Sequence, residues 1–184
     1  SLQCPDDYLV GDLSISCGPL VRFLAYDEEN KGNYRGSILI VVRNLNDKPH
    51  KLSYELSSKA SGDFNSEIIY QEEDYTFIRY AMEFKLTDTE QEVKYSLNGT
   101  NLPHFKFVVP SSTQAMNVMS YSCNGFSLGV DTTEFKGSLW LDVLRKHEKF
   151  PYHVMIGGGD QIYADSIKIT SKELERWAKH RHLY

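Results

Sequence analysis

The sequence predicts an α+β protein, in which an antiparallel β-sandwich over residues 1–110 precedes an α/β segment over residues 111–184. Two observations support this fold class. Apolar and polar residues alternate from Leu13 to Val109, and turn residues interrupt the alternation at intervals of roughly ten residues. After Pro110, two short apolar runs flank a stretch with helical periodicity, which is the order of a parallel strand–helix–strand crossover.

Eight strands are expected in the first part, and neighbouring ones can merge. They cover residues 13–17, 20–26, 37–43, 51–56, 67–71, 75–86, 92–97 and 104–109, and longer loops are expected over 44–49 and 57–65. Asn98-Gly99 predicts a type I′ hairpin turn, because both central residues of that turn need positive φ. Asn98-Gly99-Thr100 also matches a glycosylation sequon, and we favour the turn.

The aromatic residues of this first part are expected to form the sandwich core, since alternate positions of a strand face inward. They are Tyr54, Tyr70, Tyr75, Phe77, Tyr80, Phe84, Tyr95, Phe105 and Phe107. A non-catalytic module that binds sugars or a protein through such rings is the alternative function.

The charge distribution argues against a nucleic-acid-binding surface. The 184 residues carry a formal net charge of −5, and residues 1–110 hold 11 basic against 17 acidic side chains. No apolar run approaches the roughly 18 residues of a transmembrane span. Because the chain begins with Ser1, it is interpreted as part of a longer protein.

The three cysteines do not form a disulfide framework. Cys4 and Cys17 could pair in an oxidising compartment, which would leave Cys123 unpaired. Three reduced thiols in an intracellular protein are the simpler interpretation, and peripheral membrane association stays open.

The second part is predicted to contain a strand over 117–123, a helix over 137–148 and a strand from Val154 to Ile156 that is buried on both faces. Three glycines then let the backbone turn sharply before Asp160. Because parallel strands end at the same edge of a sheet, Cys123 and Asp160 are expected to converge. A further helix is expected after Ile167, with Thr170 and Glu173 at capping-box spacing.

Cys123, Asp160 and Tyr163 together are interpreted as metal ligands. Tyr163 follows Asp160 by three residues, so a turn or helix places the carboxylate and the phenol on one face. Thiolate, carboxylate and phenolate all bind as anions, which suits a trivalent ion or a closely spaced metal pair. Zinc more typically takes histidines or several cysteines, and no CxxC or HxxxH pattern is present.

The sequence Ser-Cys-Asn at 122–124 and Gly-Asp-Gln-Ile-Tyr at 159–163 resembles the alkaline phosphatase D (PhoD-like) metallophosphatases, and Cys-Gly-Pro-Leu at 17–20 resembles their fungal branch. The resemblance implies a β-sandwich followed by the N-terminal part of a metallophosphoesterase-like domain. It further implies that Cys123, Asp160 and Tyr163 bind ferric iron beside calcium, with Asp160 as the bridging and catalytic residue.

The resemblance also implies hydrolysis of phosphate esters by a metal-activated hydroxide, with the remaining ligands supplied by later strands. The segment alone is therefore expected to be inactive without the remainder of the metallophosphatase domain. Asn124 and Asp165 are expected to orient a ligand or to contact substrate. His180 and His182 are interpreted as a solvated helix end, because residues two apart on a helix point about 200° apart.

Two other interpretations of the glycine-rich turn remain. Asp160 could cap a helix at a tight connection. A nucleotide site is disfavoured, because the turn lacks both GxGxxG register and a GK[ST] sequence.

Overall fold

The computed structural model describes residues 7–27, 32–43, 50–126, 130–131, 133–134, 139–164 and 170–179. The chain divides into two compact units, Ser1–Met116 and Asn117–Tyr184, and each is described by itself. The strands of the first unit are β1 (Tyr8–Val10), β2 (Leu13–Asp27), β3 (Asn33–Arg43), β4 (Leu52–Leu56), β5 (Ser61–Asp63), β6 (Asn65–Glu72), β7 (Tyr75–Lys85), β8 (Gln91–Leu97) and β9 (Lys106–Val109).

The first unit consists of two antiparallel sheets that share one core. One sheet has the strand order β1-β2-β3-β7-β6, and the other has the order β5-β4-β8-β9. Rings connect the two sheets: Tyr34 of β3 stacks on Phe107 of β9 with centroids 6.5 Å apart, and Tyr54 of β4 lies 5.9 Å from Phe84 of β7. The predicted antiparallel organisation of this part is confirmed. The described residues are mostly strand with two helices, so the overall α+β class stays a prediction.

The predicted core is correct for the aromatic rings at the alternate positions that face inward. Tyr80, Phe84, Tyr95 and Phe105 are buried, and Tyr54 and Phe107 pack against the core. The prediction is wrong for Tyr70, which is 53% exposed. Tyr70 lies in β6, an edge strand whose residues are all exposed, and a bulge at Ile69 shifts the pairing so that Tyr70 lies opposite Phe77. Tyr75 and Phe77 are only half-buried, because they alternate with the inward-facing residues of β7.

Two predicted strands merge into β2 around Gly18, where the pairing with β3 shifts register between Cys17 and Leu20. Gly18 has φ 93, and a Cβ there would overlap the Leu39 carbonyl oxygen, so only glycine fits. The short strands β1 and β5 were not predicted, and β5 lies inside the expected loop 57–65. The expected loop 44–49 lies outside the described residues.

The turn after β8 has the predicted type I′ conformation. Asn98 and Gly99 have φ 49 and 78. The Leu97 N–H donates to the Thr100 carbonyl at 3.1 Å, and the Thr100 N–H donates back at 2.9 Å. The Asn98 side chain also accepts the Lys51 N–H at 3.1 Å, which joins the turn to the start of β4.

The second unit contains β10 (Val118–Tyr121), α1 (Leu139–Lys149), β11 (Val154–Gly157) and α2 (Lys172–Lys179). The strands β10 and β11 pair in parallel, as the predicted crossover requires. The expectation that Val154 to Ile156 is buried on both faces is wrong, since Met155 is 53% and Ile156 54% exposed. Within the described residues this sheet has two strands, so no neighbouring strand covers either edge.

The N-cap of the second helix is Ser171, one residue after the predicted cap Thr170. Ser171 supplies the cap: its Oγ accepts the Leu174 N–H at 3.3 Å and donates to Glu173 at 3.2 Å. Across the described residues, no helix combines the length and apolar character that crossing a bilayer requires.

Candidate active site

The candidate site lies at the carboxyl ends of β10 and β11. The two strands run in register from Val118↔Val154 to Tyr121↔Gly157, and α1 lies between them in sequence. The backbone N–H and C=O groups of β10 and β11 form hydrogen bonds with each other along this register. The loops that follow the two strands therefore leave the sheet side by side.

Backbone hydrogen bonds continue past the strand ends and keep the two loops together. The Gly158 N–H donates to the Tyr121 carbonyl at 2.7 Å, and the Cys123 N–H donates to the Gly159 carbonyl at 3.0 Å. The Asn124 N–H then donates to the Asp160 carbonyl at 2.8 Å. These bonds place Cys123 opposite Asp160, as the parallel crossover predicts.

The side chains of Cys123 and Asp160 meet at this edge. The Cys123 thiol donates to Asp160 Oδ2 with an Sγ–Oδ2 distance of 3.5 Å, and both residues are exposed. Both have left-handed backbones, with φ 56 at Cys123 and 59 at Asp160. For residues other than glycine that conformation costs on the order of 1–3 kcal/mol, and such costs concentrate at functional sites.

Tyr163 packs beside this pair against Gly125. A Cβ on Gly125 would lie 2.6 Å from Tyr163 Cδ2 and 2.8 Å from Cε2, so the ring occupies the space that a side chain would need. The tyrosine is 50% exposed. The structure thus brings the side chains of Cys123 and Asp160 into contact. It places the Tyr163 ring against Gly125, which follows Cys123 by two residues.

The glycine-rich turn differs in detail from its prediction. A Cβ on Gly157 would lie 3.0 Å from Tyr121 Oη, so this glycine permits close packing inside the strand. Positive φ falls on Asp160 rather than on Gly157, Gly158 or Gly159. Gln161 stabilises the turn, because its Nε2 donates to the Gly158 and Gly159 carbonyls at 3.0 and 3.2 Å.

Asn124, expected to orient a ligand or contact substrate, accepts a hydrogen bond from the Trp140 indole at 3.0 Å. The helical periodicity of residues 137–148 predicts the helix that carries Trp140 but contains no signal for this contact. Asp165, His180 and His182 lie outside the described residues.

Two of the described histidines accept backbone hydrogen bonds through their rings. His147 accepts the Tyr152 N–H at 3.0 Å, and His153 accepts the Asn117 N–H at 2.8 Å. In the described part of the chain, no group of three or more His, Cys, Asp and Glu side chains could hold a metal. Cys17 and Cys123 carry free thiols, and Cys4 lies outside the ranges given above.

Residues 87–182 match the family model described as PhoD related phosphatase, which covers more than half of the chain. The chain therefore belongs to the PhoD related phosphatase family, as its motifs predicted. The "Uncharacterized protein YGR266W" of Saccharomyces cerevisiae is 43% identical over 189 residues, which cover 95% of this chain and 27% of the yeast protein. This relative agrees with the predicted fungal branch, and the chain spans about a quarter of its length. No solved structure matches the chain significantly.

Proposed function

We propose that this chain carries the first metal ligands of a phosphoric ester hydrolase, with Asp160 as the catalytic residue. The observation that carries the proposal is the 3.5 Å contact between Cys123 Sγ and Asp160 Oδ2 at the shared edge of a parallel strand pair. Membership of a phosphatase family supports phosphate esters as the substrate class.

The donor chemistry fits a strongly charged metal. The metal would be ferric iron beside calcium, and its ligands would be Cys123, Asp160 and Tyr163. Each of these side chains would bind in its deprotonated, anionic form. The described residues do not supply a larger group of His, Cys, Asp and Glu ligands, so the proposal includes the remainder of a metallophosphatase domain, of which the second unit is the N-terminal part. When bound, the metal supplies positive charge opposite the phosphate oxygens and lowers the pKa of water.

The protein's own residues position these donors. The Asp160 carboxylate accepts a hydrogen bond from the Cys123 thiol, and this bond holds the two proposed ligands together at the edge of the sheet. The Asn124 and Gln161 hydrogen bonds to the loop after β11 restrain the backbone that presents Asp160. A fixed backbone lowers the reorganisation needed when an anionic substrate binds.

The experiment compares Asp160→Asn with the parent sequence, both in the full-length protein, in hydrolysis of p-nitrophenyl phosphate and of bis(p-nitrophenyl) phosphate. We expect Asp160→Asn to lower kcat by about 100-fold or more, by analogy with loss of one group that stabilises a transition state. Asp142→Asn is the matched control, because Asp142 pairs with Lys146 at 2.9 Å on α1. Metal content of Cys123→Ala and Tyr163→Phe is measured in parallel.

Unchanged hydrolysis in Asp160→Asn, or unchanged iron in both ligand variants, would refute the proposal. The alternative is the non-catalytic interaction or sugar-binding module. Binding of a sugar or protein that survives Asp160→Asn, without phosphatase activity in the parent protein, would favour that module.

A further inference from the structure

We propose that Trp140 is a positioning residue that fixes the Asn124 amide so that its NH2 group donates to a phosphoryl oxygen of the substrate. This inference rests on the proposed phosphatase function and adds a donor and its support to that site. It begins from the contact between Trp140 Nε1 and Asn124 Oδ1, which are 3.0 Å apart.

The indole determines which way round the amide lies. An indole N–H can only donate, whereas an asparagine amide has one accepting and one donating end. The atom that faces Trp140 must therefore be the carbonyl oxygen, and the NH2 group must point away from the indole. Within the described residues, the Asn124 Nδ2 has no acceptor, so its two N–H donors are available to a ligand.

The position of the amide suits a substrate contact. Asn124 is exposed, follows Cys123 directly, and is bound through its N–H to the Asp160 carbonyl at 2.8 Å. The donor therefore belongs to the same edge as the Cys123–Asp160 pair. Phosphoryl oxygens only accept hydrogen bonds, and a neutral donor held in place in advance stabilises the charge that they carry.

Trp140 is itself held firmly enough to do this. Its ring meets Tyr121 edge to face, with centroids 4.9 Å apart and planes at 78°. Tyr121 is the last residue of β10, and its hydroxyl end lies beside Gly157 of β11. The helix α1 thus supports the loop after β10 through one side chain whose packing and hydrogen bond can be separated by mutation.

The test is a double-mutant cycle in the full-length protein. Trp140→Phe keeps an aromatic ring against Tyr121 and deletes the N–H donor, and Asn124→Ala deletes the amide. Two quantities are measured: kcat/KM for p-nitrophenyl phosphate, and the Kd of inorganic phosphate by calorimetry, which needs no turnover. Metal content is checked in every variant, and Trp177→Phe, which alters the 61% exposed tryptophan of α2, is the matched control.

We expect Asn124→Ala to lower kcat/KM by about 10- to 100-fold, and Trp140→Phe to lower it by about 3- to 10-fold, since loss of one preorganised donor costs roughly that much or more. In the Asn124→Ala background, Trp140→Phe should have no further effect, because it acts through the amide. The Kd of phosphate should rise with the same lack of additivity, and Trp177→Phe should change neither quantity.

Equal effects of Trp140→Phe in both backgrounds would overturn the inference, because they would show that the indole only supports the fold. A phosphate Kd that Asn124→Ala leaves unchanged would overturn it as well. If the parent protein hydrolyses no phosphate ester, the proposed function fails, and the phosphate-binding cycle still decides whether Trp140 orients Asn124 toward an anion.

Discussion

At the scale of single residues, the position of Tyr163 depends on Gly125. A Cβ at this position would lie 2.6 Å from the tyrosine ring, so Gly125→Ala must displace the ring or the loop. On the proposed function, in which Tyr163 is a ligand of iron, we expect Gly125→Ala to lower the iron content and to lower kcat by about 10- to 100-fold, because displacement of a group in an active site by about 1 Å can cost that much. Metal analysis and hydrolysis of p-nitrophenyl phosphate by the full-length protein measure both effects.

Gly159→Ala is the matched control for this prediction. Gly159 lies in the opposite loop, has no positive φ, and a Cβ added to it would meet no heavy atom within 4 Å. Its substitution should therefore leave iron content and hydrolysis unchanged. Equal losses in both variants would contradict the prediction, because they would indicate a general sensitivity of the loops to side chains.

The residues of the site could be predicted from the sequence only where chain direction decided their position. The contact between Cys123 and Asp160 follows from two parallel strands that end at one edge, and it is present at 3.5 Å. The Trp140–Asn124 hydrogen bond could not be predicted, because it depends on the rotation of α1 about its axis. An apolar stripe does not distinguish a tryptophan that packs from one that also donates.

At the scale of elements, β2 depends on Gly18 to remain one strand. Both φ 93 and the overlap of a Cβ with the Leu39 carbonyl oxygen oppose any side chain there. We expect Gly18→Ala to destabilise the protein by about 2–6 kcal/mol, since overpacking and a positive φ each cost about 1–3 kcal/mol. Urea unfolding measures the change.

Gly11→Ala separates the two causes of that loss. Gly11 also has positive φ, at 63, but a Cβ there meets only Thr100 Oγ1 at 3.9 Å. It should lose only the backbone part, about 1 kcal/mol. A destabilisation by Gly18→Ala no larger than that by Gly11→Ala would show that β2 relaxes around the methyl group.

The carboxylate of Asp7 joins β1 to β2 and β3 and should make the first unit sensitive to acid. The Ser16 hydroxyl at 2.8 Å, then Ser14 and the charge of Arg43, hold the pKa of Asp7 below its usual value of 3.8. Because the folded-state pKa is lowered, the stabilisation is present above about pH 4 and is lost as pH falls through the folded-state pKa.

We expect Asp7→Asn to reduce the loss of stability between pH 5 and pH 3, about where a free carboxyl titrates. Ser16→Ala should act in the same direction, because it removes the hydrogen bond that lowers the pKa most. Urea unfolding at several pH values gives both slopes. Slopes identical to that of the parent protein would rule out this role for Asp7.

The strands also show why the alternation of apolar and polar residues alone was not enough to predict which side chains are buried. Tyr70 was expected in the core, but its strand β6 is an edge strand that is exposed along its whole length and has a bulge at Ile69. A bulge is specified by the partner strand as well as by the strand itself. The hairpin at Asn98-Gly99 was predictable because its turn type is specified by its own two residues.

At the scale of the whole molecule, the two sheets of the first unit are held together by buried tyrosines. Tyr34, Tyr80 and Tyr95 are 2%, 1% and 4% exposed, and burial raises the pKa of each to about 12. The Tyr80 hydroxyl is compatible with a core because it has a hydrogen-bond partner: it donates to the His50 carbonyl at 2.8 Å.

These tyrosines predict alkaline unfolding of the first unit. In the unfolded chain a tyrosine loses its proton near pH 10, whereas in the fold it keeps the proton to about pH 12, so the free energy of unfolding decreases between these values. Each tyrosine contributes a slope of up to about 1.4 kcal/mol per pH unit. Urea unfolding at pH 9.5, 10.5 and 11.5 measures the slope.

Tyr80→Phe should reduce the slope by about one third of the three-tyrosine effect, and Tyr70→Phe, at a ring that is 53% exposed, should not. If absorbance shows all 12 tyrosines ionising together near pH 10 while the sheets stay folded, the rings are accessible to solvent and the two sheets do not enclose a shared core.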